Sequence, residues 1–404
     1  MARMLDSEEA ARRLGIKVGT LYAYVSRGLL ASHPEPGSRR SLFDLDDIER
    51  LAGRARSGRR VETRLATVTT SVTQLRPEGP VYRGVPATRL AADGTPYEEV
   101  AELLWGDAGR GAGPGAPWGP LPLGHRPDLG ASDLLRWAVV LAGAANPLRS
   151  DLRPEAVTRT ARHLVATMVD ALPGDHRDDG GIARRLAGRL TARPAPALED
   201  AVGAALVLLA DHELATSTVA VRVAASTRAD LCDAVLAGLG TLAGPLHGGA
   251  SRLAYGLLVD AERDGPERAL DETLRWQGVL PGFGHTVYVD GDPRFAVLLD
   301  RFEALATPGQ RRLVAAMVDL AADHGIPPPN VDLALAAVTL AAGLPPDAGR
   351  TLFTVARVAG WTAHYLEELR ERPLRFRARA VYAADPAPGT DPSPDPSPAP
   401  TIGP

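Results

Sequence analysis

The sequence is poor in cysteine, in aromatic residues and in long apolar runs. Its 404 residues include one cysteine, Cys232, which excludes a disulfide framework and any cysteine-rich zinc site. No apolar run approaches the length of about 18 residues that crosses a bilayer. The first residues turn acidic at once and lack the apolar core of a signal peptide. We therefore expect a cytoplasmic protein with no membrane partner. Aromatic residues make up only 5%, so the core must consist mainly of alanine, leucine and valine.

Lysine is nearly absent as well, because Lys17 is the only one and almost all positive charge is arginine. The net charge of −4 excludes a uniformly basic nucleic-acid-binding surface. The charge is nevertheless uneven, since residues 1–60 carry 12 Lys and Arg against 8 Asp and Glu. This asymmetry predicts a small basic module in front of an acidic body.

Helical spacing dominates both parts of the chain. In the first 60 residues we predict three short helices, the first capped by Ser7, and then a basic linker at residues 54–60. From about Leu65 onward, apolar residues recur three and four positions apart. The helical segments are 97–105, 132–144, 154–172, 198–214, 228–242, 295–306, 309–324, 331–342 and 348–370.

Few features depart from this all-α pattern. Residues 71–83 suggest one short pair of strands. Gly238-Leu239-Gly240 lacks the third glycine of a dinucleotide-binding signature and lies in a helical pattern. The tail, residues 383–404, is proline-rich and is predicted to be disordered.

Three histidines and one aspartate are candidates for chemistry. His212 lies in Asp211-His212-Glu213, whereas His247 and His285 have glycine neighbours that let the backbone approach a ligand. Asp332 follows three prolines and Asn330, which can cap a helix and place Asp332 in its first turn. The alternatives are ordinary turn histidines and an aspartate that only stabilises a helix dipole. Arginines can bind carboxylates, and the candidates are Arg294, Arg357, Arg375 and Arg377.

These residues belong to segments that follow one another in a fixed order. The segments are Val81-Tyr82-Arg83-Gly84, residues 97–105, Asp211-His212-Glu213 with Ser217-Thr218, residues 244–250, residues 281–288 with Asp292-Pro293-Arg294, residues 329–332 and residues 353–364. In this order they resemble the signature blocks of citrate synthases, over residues 80–382. The resemblance implies an all-α fold of a large and a small domain that close over oxaloacetate and acetyl-CoA. It places the large domain at 61–249 and 345–382, and the small domain at 250–344.

The resemblance also implies roles for individual residues. His247 would polarise the thioester carbonyl of acetyl-CoA, Asp332 would remove a methyl proton, and His285 would polarise the ketone of oxaloacetate. His212, Arg294, Arg357 and Arg377 would hold oxaloacetate, with Arg375 as the alternative to Arg377. Leu280, Gly282 and Gly284 would lie against coenzyme A. No metal and no permanently bound cofactor is implied, and the expected oligomer is a homodimer.

The chain departs from the family pattern at several positions. Leu209 replaces a histidine, Ala215 replaces an asparagine, and Thr286 and Val289 replace basic residues that follow His285 in relatives. Other residues would therefore have to hold the phosphates of coenzyme A. The residues do not distinguish acetyl-CoA from propionyl-CoA, which would yield 2-methylcitrate, because the pocket residues that would receive the extra methyl are not identifiable. Such discrimination is worth only about 1–3 kcal/mol.

The front module resembles a MerR-type or excisionase-like helix-turn-helix. The matching segments are residues 5–15, 20–24 and 27–30. The resemblance implies that the second helix enters the major groove of DNA and that Arg39 and Arg40 lie near phosphates. The expected DNA-contacting residues are Thr20, Tyr22, Arg27, Arg39 and Arg40. Two alternatives remain: a module used only for assembly, or a transcription regulator whose synthase-like body senses a metabolite.

Overall fold

The computed structural model describes residues 4–14, 68–107, 118–174, 180–244 and 247–377, with short stretches and single positions between 18 and 48. The chain divides into two compact units, Met1–Thr67 and Val68–Pro404. The predicted linker at 54–60 and the predicted disordered tail at 383–404 lie outside the described residues.

The first unit contains one described helix and three short strands. Helix α1 spans Ser7–Leu14. Strands β1 (Met4–Leu5), β2 (His33–Pro34) and β3 (Ser41–Asp44) form an antiparallel sheet in the order β1-β3-β2. The sequence did not predict this sheet, because its strands are too short to show an alternating pattern.

The cap of α1 corrects one expectation. Asp6, and not Ser7, caps the N-terminus of the helix, because its Oδ1 accepts hydrogen bonds from the N–H groups of Glu8 (3.0 Å) and Glu9 (2.8 Å). Ser7 is the first residue of the helix instead. A small apolar core supports this unit. Its buried members are Leu5, Ala10, Ala11, Leu21, Leu30, Phe43 and Ile48.

The second unit begins with the predicted strand pair. Strands β4 (Thr73–Arg76) and β5 (Gly79–Tyr82) are antiparallel, and the short strand β6 (Val85–Pro86) extends the sheet. Gly79, with a φ of +114°, is the first residue of β5 and directly follows the two-residue turn at positions 77–78. The expectation of strands within residues 71–83 is therefore confirmed.

The rest of the described second unit is helical, as predicted. Its helices are α2 (Ala87–Ala92), α3 (Tyr97–Trp105), α4 (Ala131–Ala145), α5 (Pro154–Ala171), α6 (Ile182–Leu190), α7 (Pro196–Leu209), α8 (Thr216–Ser226), α9 (Leu231–Leu242), α10 (Ala250–Asp264), α11 (Pro266–Gln277), α12 (Pro293–Leu305), α13 (Pro308–Asp323), α14 (Val331–Ala341) and α15 (Ala348–Leu369). Within the described residues, no helix is long and apolar enough to span a bilayer.

Most predicted helices have the expected bounds, but one prediction is wrong in a way that matters. The segment 198–214 ends as a helix at Leu209, so Asp211 and His212 lie in a loop. Glu213 has a φ of +53°, which a right-handed helix does not contain. Helices α2, α6, α8, α10 and α11 were not predicted. Serine, threonine and valine in α8, for example, have low helix propensity, and packing compensates for it.

Helix α15 is the buried centre of the second unit. It packs against α3, α5, α7, α8 and α9, and it also touches α14, which in turn packs against α10 and α12. At Gly360 the helix meets the loop after α7, where the Gly360 N–H donates to the Ala210 carbonyl at 3.0 Å. A side chain at this position would place Cβ 2.6 Å from that carbonyl oxygen and would overlap the Asp211 carboxylate. Only glycine allows this approach.

We predict that Gly360→Ala lowers the free energy of unfolding by about 3 kcal/mol or more, because the loop carrying Asp211 must move away from α15. The matched control is Gly240→Ala in α9, where a Cβ has open space around it. There the helix propensity of alanine should raise stability by about 1 kcal/mol. Chemical denaturation of both variants measures their free energies of unfolding. Similar stabilities of the two variants would contradict the close approach of α15 to the loop after α7 at Gly360.

Candidate active site

Residues from five segments of the second unit converge on one region. His212 follows α7, His247 precedes α10, and His285 lies between α11 and α12. Asp332 is in the first turn of α14, and Arg357 lies in the middle of α15. Their electrostatic coupling shows the convergence, because Arg357 influences the pKa values of His212, His247 and Asp332.

His285, His212 and Tyr288 form a compact aromatic group. The rings of His285 and Tyr288 are stacked with centroids 4.7 Å apart. The ring of His212 meets both edge-on, at 5.3 Å from His285 and 5.7 Å from Tyr288. Two histidines that are 73 positions apart in the sequence therefore share one wall of the site.

The hydrogen bonds of His285 determine which ring nitrogen carries the proton. Nδ1 accepts from the backbone N–H groups of Val287 (3.0 Å) and Tyr288 (3.2 Å), so it is unprotonated and the ring proton lies on Nε2. Burial and the neighbouring Arg294 lower the pKa of His285. His285 is thus a neutral ring whose Nε2–H can donate to a ligand.

Arg294 is buried and held by Asp292. Its Nε donates to Asp292 Oδ1 at 2.9 Å and its Nη2 to Oδ2 at 2.8 Å, which leaves Nη1 for a ligand. Burial alone would lower the pKa of Arg294, but the ion pair with Asp292 raises it above its ordinary value. Nη2 also lies 3.4 Å from His285 Nε2, so Arg294 adjoins the aromatic group.

Asp332 stands at the start of α14, as the sequence predicts. Asn330 caps the helix, since its Oδ1 accepts the N–H of Asp332 at 2.9 Å. Burial raises the pKa of Asp332 from 3.8 to about 6, although Arg294 and Arg357 act in the opposite direction. The charged form is therefore poised for proton transfer near neutral pH.

Arg357 and His247 both contact the ring of Phe353, at 4.5 Å from the Arg357 guanidinium carbon and 6.1 Å between ring centroids for His247. Arg357 is 1% exposed, and its Nε donates to the carbonyl of Leu209 at 2.9 Å. The Nε2 of His247 lies 2.8 Å from the hydroxyl of Ser217, in the first turn of α8, which leaves Nδ1 for a ligand. Burial and Arg357 lower the pKa of His247, so this ring is also neutral at pH 7.

Among the buried polar atoms of the described residues that lack a hydrogen-bond partner, three are side-chain atoms that could donate to a ligand in the site. They are His212 Nε2, Arg357 Nη1 and the hydroxyl of Tyr288. An unpaired buried polar group costs about 1–3 kcal/mol, so such groups in a folded protein need an explanation. Burial, followed by Arg294 and Arg357, lowers the pKa of His212 well below its usual value. These atoms are suited to a small ligand that is rich in acceptor oxygens.

A buried network of hydrogen bonds and ion pairs holds the loop that carries His212. His364 Nε2 lies 3.3 Å from Asp211 Oδ2, and its Nδ1 accepts from Arg222 Nη1 at 2.8 Å. Arg222 Nε in turn donates to Glu368 at 3.0 Å. Burial would raise the pKa of Asp211, but His364 and Arg357 hold it below its usual value. Because Asp211 precedes His212 in the loop, this network fixes the backbone from which His212 projects.

The predicted arginines at the C-terminal end are not brought to the site. Arg375 is committed to Glu368, to which its Nε and Nη2 donate at 2.7 and 2.6 Å. Arg377 is exposed. Within the described residues, neither arginine has a recorded contact with His212, His285 or Arg294.

The predicted coenzyme A loop has a clear packing role. Leu280 is buried in the core. Gly282 has a φ of +86°, and a Cβ there would lie 2.9 Å from the Cβ of Leu333. Gly284 has a φ of +75° and donates its N–H to the carbonyl of Pro328 at 2.8 Å. These contacts tie the loop before His285 to the segment before Asp332, and coenzyme A binding by the loop stays a prediction.

Of the predicted DNA-contacting residues, only Tyr22 lies among those described. It is 43% exposed, with its ring 6.3 Å from that of Phe43. The others, Thr20, Arg27, Arg39 and Arg40, lie outside the described residues.

Three residues of the site were not predicted from the sequence: Ser217, Tyr288 and Asp292. Each lies in a matched segment, but the signal for its role is a contact made only in the folded chain. The Asp-Pro sequence at the start of α12 was the one available hint for Asp292, as a helix cap. No group of His, Cys, Asp or Glu in the described part of the chain is arranged to hold a metal ion.

Family models match both units of the chain. A model of the citrate synthase C-terminal domain matches residues 131–379, and a helix-turn-helix domain model matches residues 4–56. Citrate synthase 2 of Bacillus subtilis is 33% identical over 265 residues, which cover 61% of this chain and 71% of the relative. A putative citrate synthase 2 of Mycobacterium tuberculosis is 32% identical over 328 residues, covering 74% and 86%.

Other relatives have the name 2-methylcitrate synthase. A 2-methylcitrate synthase 2 of Corynebacterium glutamicum is 35% identical over 177 residues, covering 42% of this chain and 45% of the relative. Among solved structures, a ternary complex of Thermoplasma acidophilum citrate synthase with carboxymethyl coenzyme A and oxaloacetate superposes with a TM-score of 0.66 at 23% identity. It covers 82% of this chain and 97% of that one. The predicted fold class is thereby confirmed.

The pKa of Asp332 is higher in the folded chain than in the unfolded chain, so ionisation of Asp332 destabilises the folded protein. The unfolded pKa is near 3.8 and the folded pKa is about 6, so stability is lost as pH rises through this window. Asp332→Asn should therefore raise the melting temperature near pH 7.5, by about 2–5 °C, and much less near pH 4.5. Asp319→Asn, at an exposed position of α13, controls for the loss of a carboxylate. An Asp332→Asn variant with the melting temperature of wild type at both pH values would refute the raised pKa of Asp332.

Proposed function

Since the chain belongs to the citrate synthase family, we propose that it condenses acetyl-CoA with oxaloacetate and hydrolyses the resulting citryl-CoA to citrate and CoA. The observation that supports this best is the combination of two neutral histidines with a buried carboxyl group of raised pKa, beside unpaired donors. Pairs of groups whose environments drive their pKa values apart are typical of acid–base sites.

Proton removal from acetyl-CoA needs two groups acting together. A methyl group next to a thioester is a very weak acid, so a base alone does not suffice. In the proposed mechanism the Asp332 carboxylate takes the proton, while His247 donates from Nδ1 to the thioester oxygen and stabilises the enolate. Ser217 holds the other nitrogen of His247 at 2.8 Å and so fixes the direction of the ring.

Oxaloacetate needs a donor for its ketone and cations for its carboxylates. His285 would donate from Nε2 to the ketone oxygen, which becomes an alkoxide and then a hydroxyl as the enolate carbon attacks the ketone carbon. The free Nη1 atoms of Arg294 and Arg357 would hold carboxylates, with His212 Nε2 as a further donor. The site would thus bind the dicarboxylate mainly by charge.

Several parts of this proposal rest on the family resemblance. They include the division into a large domain (61–249 and 345–382) and a small domain (250–344), closure that excludes water until condensation, and a homodimer. Coenzyme A binding by Leu280, Gly282 and Gly284 and oxaloacetate binding by Arg377 also belong here. An alternative acyl donor is propionyl-CoA, and the similarity to relatives named 2-methylcitrate synthase supports this alternative.

The match of residues 4–56 to a helix-turn-helix domain supports a second candidate function. We propose that this unit binds duplex DNA, with Thr20, Tyr22, Arg27, Arg39 and Arg40 as contacting residues. A metabolite-responsive regulator would combine it with a synthase-like body that binds oxaloacetate. The two functions are compatible in one chain.

Purified protein should release thiol from acetyl-CoA or propionyl-CoA only when oxaloacetate is present. Because Asp332 must be ionised and its pKa is about 6, kcat should rise with pH to about that value and then level off. Asp332→Ala should lower kcat by about 10²–10⁴-fold and preserve oxaloacetate binding. A steady-state assay with both acyl-CoAs and calorimetric titration of oxaloacetate measure these effects.

Two results would contradict this mechanism. One is the absence of thiol release with either acyl-CoA by folded protein. The other is an Asp332→Ala variant with near-normal kcat, which would exclude Asp332 as the base. A large difference in kcat/KM between acetyl-CoA and propionyl-CoA identifies the preferred donor.

The full chain should retard duplex DNA in a gel at low salt, and retardation should weaken as salt increases. Replacing Arg39 and Arg40 together with alanine should weaken binding to all sequences and reduce the salt slope by about 2. The matched control replaces Arg263 and Arg268, which are 64% and 66% exposed in the second unit. No retardation at low salt, or equal effects of both double variants, would rule out the assignment.

A further inference from the structure

Tyr288 is a buried residue of the site that the proposed mechanism leaves without a role. It lies three residues after His285, is 3% exposed, and has a hydroxyl without a hydrogen-bond partner. Burying such a hydroxyl unpaired costs free energy that phenylalanine at the same position would not cost. A reason for the hydroxyl is therefore needed.

The other buried tyrosines of the described second unit do not share this feature. Tyr82, Tyr97 and Tyr365 each donate to a main-chain carbonyl. The distances are 3.1 Å to Val207, 3.0 Å to Ala356 and 2.7 Å to Ala229. Pairing of a buried phenol is thus the rule in this fold, and Tyr288 is the exception.

The position of Tyr288 points to the missing partner. Its ring stacks on His285 at 4.7 Å, meets His212 edge-on at 5.7 Å and lies 5.5 Å from the guanidinium carbon of Arg294. All three neighbours belong to the proposed oxaloacetate site, and together they fix the plane of the ring. The unpaired hydroxyl therefore belongs to a ring that packs against the residues of the proposed oxaloacetate site.

We propose that Tyr288 is a further substrate-binding residue, whose hydroxyl donates a hydrogen bond to an oxygen of bound oxaloacetate. This inference rests on the proposed function of the site. Burial raises the pKa of Tyr288 to about 12, so the hydroxyl keeps its proton at neutral pH. A protonated hydroxyl can donate a hydrogen bond to an anionic acceptor, and such a bond is stronger than one to a neutral acceptor. The site would then contact oxaloacetate through a neutral donor as well as through arginines.

Tyr288→Phe tests this role because it keeps the ring and removes only the hydroxyl. The KM for oxaloacetate should rise about tenfold, equivalent to about 1.4 kcal/mol. The KM for the acyl-CoA and kcat should stay within about twofold, since the ring still supports His285. The melting temperature without ligand should be unchanged or higher, because no protein hydrogen bond is lost. The rise in melting temperature caused by oxaloacetate should shrink.

Tyr365→Phe is the matched control. It removes a hydroxyl that donates to Ala229 and leaves that carbonyl unpaired. The expected result is the reverse pattern, a lower melting temperature with an unchanged KM for oxaloacetate. The pair of variants therefore separates a ligand-binding hydroxyl from a structural one.

A Tyr288→Phe variant whose KM for oxaloacetate stays within twofold of wild type would overturn the inference. So would a variant that melts lower than wild type, as Tyr365→Phe should, with the ligand-induced shift intact. Failure of the proposed function itself is visible separately in the wild-type protein. There, oxaloacetate would neither raise the melting temperature nor support thiol release, and both proposals would fall together.

Discussion

One carboxylate, that of Asp292, joins two parts of the site. Its Oδ1 accepts the backbone N–H of Arg294 at the start of α12, and both oxygens bind the Arg294 guanidinium. Oδ2 also accepts the N–H of Val331 at 3.0 Å, at the start of α14. Burial would raise the pKa of Asp292, but Arg294 and these N–H groups hold it below the usual value. Because one buried group positions both Arg294 and the helix turn that carries Asp332, the separation of cation and base is fixed before any ligand binds.

Burial determines the protonation of the whole region, and two buried arginines modify its effect. Burial lowers the pKa values of His212, His247 and His285 and keeps these rings neutral. The positive charges of Arg294 and Arg357 add to this effect, Arg294 at His212 and His285 and Arg357 at His212 and His247. Burial acts on Asp332 in the other direction and outweighs the same two arginines. The site thereby keeps positive charge for anions, neutral rings as donors and one carboxyl group near its titration point. Opposed shifts of this kind allow acid and base chemistry in one pocket.

Local signals in the sequence predicted much of the site, and contacts across the fold explain the rest. Asn330 and the prolines before it predicted the cap that places Asp332, because capping depends on adjacent residues. The loop that carries His212 was predicted as helix, because the apolar pattern continues past Leu209, where the helix ends. The roles of Asp292 and Tyr288 depend on partners in the folded chain. Arg377 was placed by resemblance alone, and the described chain leaves it exposed.

A crystal structure of the protein with oxaloacetate bound is the most direct measurement of the central claim, that the unpaired buried donors are the contacts of a dicarboxylate. We expect the ketone oxygen within hydrogen-bond distance of His285 Nε2 and a carboxylate on Arg357 Nη1. Contradiction would come from oxaloacetate bound elsewhere on the chain. It would also come from a fully occupied site in which Arg357 Nη1 and His212 Nε2 still have no partner.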